Sequence, residues 1–132
     1  MGFGFRHGVL IAVLSVGGVR AEAQQASDSL PSGVTPAMVA AGKKYFMGEG
    51  LCTACHGMDA KGAIGPNLTD AEWLHGKGHF DDIVARVLAG VPMDSSRSGQ
   101  IMPPRGGSGL TDDQVRAVAA YVWSLSRPGR KK

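Results

Sequence analysis

Both cysteines of this 132-residue chain lie in one five-residue segment, CTACH, at positions 52–56. Cys52 and Cys55 are three positions apart, and His56 follows the second cysteine directly. Three chemistries use such a cluster: a redox disulfide, a metal site and the covalent attachment of haem. The segment therefore limits both what the chain can bind and how it can fold.

The rest of the sequence favours haem attachment. A thioredoxin-like redox pair needs a βαβ context, and the sequence contains no alternating strand pattern of useful length. A structural zinc site needs four ligands, and His56 is badly placed to close a tetrahedron that already includes Cys55 beside it. In haem attachment, Cys52 and Cys55 form thioethers with the vinyl groups, and the next residue supplies its imidazole to the iron.

The amino terminus predicts export. Arg6 and His7 precede an apolar run over residues 9–19, and Ala21-Glu22-Ala23 has the small-x-small pattern of a cleavage site. The run is shorter than the roughly 20 residues of a spanning helix, so residues 1–23 are predicted to be a cleaved signal peptide and not an anchor. Haem is also attached outside the cytoplasm, and we expect a periplasmic protein with no stable membrane insertion after cleavage.

The remaining chain is predicted to hold one all-α domain over residues 35–127. A flexible lead-in precedes it at residues 24–34, and a basic tail follows at residues 128–132. The net charge of the chain is only +3, and this is too little for the clustered basic face of a nucleic-acid-binding protein. The sequence therefore predicts no nucleic-acid partner.

Three or four short helices are expected in this domain. One begins at Thr35-Pro36 and continues to residue 47, a second covers residues 81–89, and a third starts at the capping box of residues 111–114 and stops at Pro128. The twenty glycines leave few large core residues, so a bound prosthetic group is expected to complete the core. The loop over residues 91–110 is long enough to wrap around such a group.

Three motifs give the sequence a resemblance to bacterial class I cytochromes c: CTACHG at 52–57, GPNLT at 65–69 and IMPPRGG at 101–107. The resemblance covers residues 36–127. The second motif is similar to that of the cytochrome subunits of haem–copper oxidases, and the third to that of small soluble periplasmic cytochromes. The resemblance implies a small cytochrome c fold wrapped around one covalently attached haem c.

The resemblance also implies a methionine as the sixth iron ligand. Met102, which precedes Pro103 in the long loop, matches the family pattern, and its soft thioether suits haem iron. Met93 also follows a proline in that loop and is the main rival. The other candidates are weaker and are expected to be core or surface residues: Met47, Met58, His75 and His79.

Further roles carried over from the family concern the surroundings of the haem. The backbone carbonyl of Pro66 is implied to accept the second ring N–H of His56, Asn67 to order the same loop, and Trp73 to close the propionate edge. Trp73 in plain core packing is an equally good reading. Gly42 is expected to let the first and last helices cross closely, beside Phe46 and Tyr121.

The function implied by the resemblance is electron transfer by a monomeric, non-enzymatic protein. Its partners would be redox proteins, namely a dehydrogenase, an oxidase or a reductase. Exposed lysines could steer an acidic partner or could be ordinary solvated residues: Lys43, Lys44, Lys61 and Lys77. Two other functions are kept open, a fixed haem subunit of a dehydrogenase or oxidase complex and a haem peroxidase or gas-binding protein.

Overall fold

The computed structural model describes residues 1–2 and 30–126. The predicted signal peptide after residue 2, most of the predicted lead-in and the predicted basic tail lie outside these residues. The described part contains four helices, namely α1 (Pro36–Met47), α2 (Thr53–His56), α3 (Phe80–Ala89) and α4 (Asp112–Leu125). No strand is present in residues 30–126, and the all-α prediction is confirmed.

Local capping sets the ends of the two longest helices. Thr35 caps α1 by accepting a hydrogen bond from the Met38 amide at 3.1 Å, and Pro36 occupies the first turn, where no amide is needed. At α4 the Gln114 side chain accepts from the Thr111 amide at 2.8 Å, and Thr111 accepts from the Gln114 amide at 3.3 Å. These are the start signals read from the sequence.

Helices α1 and α4 cross in close contact. Gly42 is buried in α1, and a Cβ atom placed on it would overlap the backbone carbonyl of Ala117. Beside the crossing, the rings of Phe46 and Tyr121 meet edge to face, with centroids 5.4 Å apart and planes at 66°. The predicted close crossing at Gly42 is therefore present.

Helix α3 packs its apolar face inward. Phe80, Ile83, Val84 and Val87 are buried, and Gly90 ends the helix with φ +71° and ψ −167°, a conformation essentially confined to glycine. At the amino end of α3, the Arg116 guanidinium of α4 lies 5.1 Å from the centroid of the Phe80 ring. The fold thus anchors α3 along its length, and this fixes the position of the chain that leaves its carboxyl end.

The long loop between α3 and α4 is more ordered than the sequence suggested. It contains two short 3₁₀ turns, Met93–Ser95 and Pro104–Gly107, and an isolated antiparallel bridge between Val91 and Met102. Gly106 and Gly107 have positive φ angles, as expected for the turn after Met102. At its carboxyl end, helix α4 stops at Leu125. The predicted stop at Pro128 lies outside the described residues.

Among the residues that the structure describes, no helix is both long enough and apolar enough to cross a membrane.

The crossing at Gly42 makes a prediction about stability. Gly42→Ala adds a methyl group where the Ala117 backbone leaves no room, so we expect the free energy of unfolding to fall by about 1–3 kcal/mol, as in other overpacked sites. Denaturant unfolding measures the change. Gly109→Ala is the control, because a Cβ atom there meets nothing within 4 Å. An unchanged or higher stability of Gly42→Ala would contradict the crossing.

Candidate haem-binding site

Helix α2 brings the two cysteines and the histidine together. The amides of Cys55 and His56 donate to the Cys52 carbonyl at 3.2 and 2.9 Å, so the CTACH segment is wound into a single helical turn. Residues three apart share one side of such a turn, and both thiols are half-buried on the wall of one cavity. The two cysteines are thus presented to the same space.

The cysteines do not resemble a reactive redox pair. Burial, with a smaller contribution from neighbouring Cys55, raises the pKa of the Cys52 thiol to about 11, and the thiol donates to the Gly50 carbonyl at 3.3 Å. Reactive cysteines have lowered pKa values. Over residues 30–126, no three His, Cys, Asp or Glu side chains gather as metal ligands, so the zinc alternative also lacks its ligand set.

His56 is buried and its ring is oriented by one hydrogen bond. Only 8% of the residue is exposed, and Nδ1 donates to the Pro66 carbonyl at 2.9 Å, the contact that the resemblance implied. A carbonyl can only accept, so the proton is on Nδ1, and Nε2 keeps its lone pair in the neutral ring. Burial lowers the pKa of His56, against the opposing effect of the Pro66 bond, and favours this neutral form.

The loop that carries Pro66 is fastened to α2 by backbone hydrogen bonds. The Gly65 amide donates to the Cys55 carbonyl and the Gly62 amide to the His56 carbonyl, both at 2.8 Å. Gly65 lies so close to the imidazole that a Cβ atom on it would be 3.2 Å from His56 Cε1. The loop therefore covers one side of the ring and holds its hydrogen-bond acceptor in place.

Asn67 orders this loop but lines no cavity. Its Oδ1 accepts from both the amide and the hydroxyl of Thr69, each at 2.8 Å. The ordering role expected for Asn67 is therefore present, and its place among the cofactor-binding residues stays a prediction. The ordering is local, because the short side chain is used within its own turn.

Two adjoining cavities, both partly open to solvent, lie beside His56. Their surfaces are largely apolar. Five residues line both cavities: Cys52, His56, Pro66, His75 and Met102. Cys55 lines the first, and Trp73 lines the second. The structure thus gathers the predicted haem residues, apart from Asn67, around these two adjoining apolar cavities.

Among the methionines weighed for the iron, only Met102 reaches these cavities. Met93 and Met58 are 59% and 67% exposed and line neither cavity, and Met47 packs against the hydrophobic core. The backbone of Met102 is held by two hydrogen bonds to Val91, of 2.7 and 2.9 Å. Its position comes from this pairing, which the sequence did not reveal.

Trp73 and His75 both line the second cavity. The indole of Trp73 lies against Gly78, where a Cβ atom would overlap it. His75, expected at the surface, instead lines both cavities, and burial lowers its pKa together with the charges of Arg86 and Arg97. His79 is exposed and stands at the start of α3.

Arg86 is the residue of the site that the sequence analysis missed. It lies on α3 and lines the second cavity, and its Nε is buried without a hydrogen-bond partner among the described residues. A buried guanidinium nitrogen of this kind calls for an acceptor. In the sequence Arg86 is one of several charged residues in a helical segment, and no spacing marks it out.

The residues present fit a haem. The macrocycle is a large apolar plate, and the two cavities have apolar walls. The vinyl groups of the haem need two thiols, and Cys52 and Cys55 lie at the wall of the first cavity. Its iron needs an unprotonated nitrogen, and His56 Nε2 provides it. Its propionates are negatively charged, and the unpartnered Nε of Arg86 is a hydrogen-bond donor on a positively charged group.

The four lysines considered for partner steering are all exposed, and none lines either cavity. Lys61 pairs with Asp59 at 3.5 Å, with both side chains mostly in solvent. Steering of a partner by these lysines stays a prediction.

The role of Asn67 leads to a second prediction. Asn67→Ala removes the acceptor of two Thr69 hydrogen bonds, and we expect the free energy of unfolding to fall by about 1–2 kcal/mol. Asn67→Asp retains an oxygen at Oδ1 and should keep most of the stability. Denaturant unfolding compares the variants, and equal stability of all three proteins would show that the Thr69 bonds do not hold the loop.

Comparison with known proteins agrees with this site. The family model described as cytochrome c matches residues 39–126. The CcoP subunit of the cbb3-type cytochrome c oxidase of Rubrivivax gelatinosus is 42% identical over 92 residues, which are 69% of this chain and 27% of the relative. The FixP subunit of Sinorhizobium medicae is 40% identical over 92 residues, 67% of this chain and 30% of the relative. The chain therefore spans less than a third of the length of these relatives.

A solved structure supports the fold. Cytochrome CL from the marine methylotroph Methylophaga aminisulfidivorans aligns with a TM-score of 0.54 and 24% identity, over 70% of this chain and 56% of that chain. The match of the family model over most of the chain, together with the CTACH segment, shows that the protein belongs to the cytochrome c family and carries a covalently attached haem c.

Proposed function

We propose that this protein transfers single electrons through a haem c whose iron is held by His56 and Met102. The observation that carries the proposal is the joint lining of both apolar cavities by His56, Met102 and Cys52. The resulting site would have both axial positions filled by protein, which suits a carrier and leaves no position for a substrate.

The haem supplies an iron that cycles between the ferrous and ferric states. The residues of the chain contribute the rest. His56 is kept neutral and oriented by the Pro66 carbonyl, and this bond raises the basicity of Nε2. Met102 would offer a soft thioether, which raises the reduction potential. The apolar walls keep water away from the iron, and this also favours the ferrous state.

The proposed setting is the periplasm, and the proposed partners are redox proteins of a respiratory chain. The support for export is the amino-terminal pattern of residues 1–23. The support for a respiratory partner is the similarity to subunits named for cbb3-type cytochrome c oxidases. We propose a monomeric electron carrier without catalysis of its own, for which an oxidase is the favoured class of partner.

The proposed ligation gives a third prediction. Carbon monoxide binds ferrous haem only where an axial position is open, so the dithionite-reduced wild-type protein is expected to keep its spectrum under carbon monoxide. Met102→Ala should open the position and give a shifted Soret band. Met93→Ala is the matched control, since it removes a methionine from the same loop and should behave as wild type.

Two results would contradict the proposal. A wild-type protein that binds carbon monoxide as fully as Met102→Ala would have an open or labile position, as a peroxidase or gas-binding protein does. A shift in Met93→Ala and none in Met102→Ala would transfer the ligand role to Met93. Recovery of the haem protein in the osmotic-shock fraction of the cell tests the periplasmic assignment separately.

A further inference from the structure

The carboxyl end of α3 packs directly on the stretch of backbone that carries Met102. Gly90, which ends the helix, has a φ angle of +71°, and its amide donates to the Arg86 carbonyl at 2.8 Å. A Cβ atom on Gly90 would overlap the Met102 carbonyl oxygen and would lie 2.7 Å from Pro104 N. No side chain can therefore occupy this position unless the Met102 backbone moves.

The next residue fixes the same backbone by hydrogen bonding. The Val91 amide donates to the Met102 carbonyl at 2.7 Å, and the Met102 amide donates to the Val91 carbonyl at 2.9 Å. This reciprocal pair sets the register of one side of the loop against the other. A slip of one residue would turn the Met102 side chain away from the cavities.

Arg86, which lies within α3, also holds Gly90 by a hydrogen bond. Its Nη1 donates to the Gly90 carbonyl at 3.2 Å, so the guanidinium holds the residue on which the Met102 backbone rests. Arg86 and Met102 also line the same cavity. The helix itself is anchored by four buried side chains, Phe80, Ile83, Val84 and Val87. The position of Met102 is therefore set by a helix packed into the core, although Met102 itself lies in a loop.

We infer that Gly90 and Arg86 are positioning residues for the sixth iron ligand. This inference rests on the proposed ligation by Met102. The absence of a side chain at Gly90 lets the chain approach closely enough for the Val91 bridge to form, and Arg86 keeps Gly90 in place. Disturbing either residue releases the Met102 sulfur from the iron without touching Met102, His56 or the cysteines.

Gly90→Ala tests the inference against a matched control in the same loop. Gly99 has a similar φ angle of +75°, but a Cβ atom there meets nothing within 4 Å. Both substitutions place an alanine at a positive φ angle, and only the one at Gly90 also brings a Cβ atom onto the Met102 backbone. A difference in the state of the iron, and not a difference in stability, therefore reports on the placement of the ligand.

Three measurements report on the ligands of the iron and not on the stability of the fold. In Gly90→Ala we expect the reduced haem to bind carbon monoxide, the long-wavelength ferric band of a methionine sulfur to weaken, and the reduction potential to fall. A tenfold loss of sulfur affinity for ferrous relative to ferric iron lowers the potential by about 59 mV. Gly99→Ala should match the wild type in all three.

Arg86→Leu provides a second test if Gly90→Ala does not mature. It removes the bond to the Gly90 carbonyl, retains much of the side-chain volume and adds no group that can bind iron, and we expect partial carbon monoxide binding, with recovery in Arg86→Lys. Arg116→Leu is the control, since Arg116 lies over the Phe80 ring at the other end of α3. Carbon monoxide binding is the readout here, because Arg86 also lines the cavity and its charge affects the potential directly.

The outcomes separate this inference from the function it rests on. Reduced Gly90→Ala and Arg86→Leu proteins that stay inert to carbon monoxide, beside a reactive Met102→Ala, would overturn the inference and leave the ligation standing. Equal effects of Gly90→Ala and Gly99→Ala would overturn it as well. A wild-type protein that already binds carbon monoxide would overturn the ligation itself.

Discussion

The hydrogen bond from His56 Nδ1 to the Pro66 carbonyl is the interaction on which the site depends. It fixes the tautomer of a buried ring and leaves Nε2 free to bind a metal, and it ties helix α2 to the loop that follows it. The amides of Gly62 and Gly65 fasten the same loop to α2. The backbone of this loop therefore holds Cys55 and His56, and Cys52 packs against the hydrophobic core.

The part of the cavity lining that contains Met102 is built by different means. There the ligand candidate Met102 comes from a twenty-residue connection, and its position is set by the Val91 bridge and by contact with Gly90. Helix α3 carries that contact and is itself packed into the core. A chain with this many glycines can place backbone against backbone at Gly42, Gly65 and Gly90. These close contacts supply packing that large side chains would supply in a larger core.

The sequence was informative where local chemistry decides the structure. The caps at Thr35 and Thr111 are local hydrogen bonds, so the starts of α1 and α4 could be predicted, and CTACH is a local motif. The Val91 bridge, the bond from Arg86 to Gly90 and the inward position of His75 could not be predicted, because they depend on how distant segments meet. The likeness of Met93 and Met102 shows the limit: both stand beside prolines in one loop, and only packing separates them.

The central claim is that one imidazole and one thioether sulfur hold the iron. X-ray absorption at the iron edge of the purified wild-type protein measures this directly, because sulfur scatters differently from nitrogen. We expect one sulfur and five nitrogens around the iron in both oxidation states, four of the nitrogens from the macrocycle and one from His56. A first shell without sulfur, or with a second imidazole in its place, would contradict the assignment of Met102.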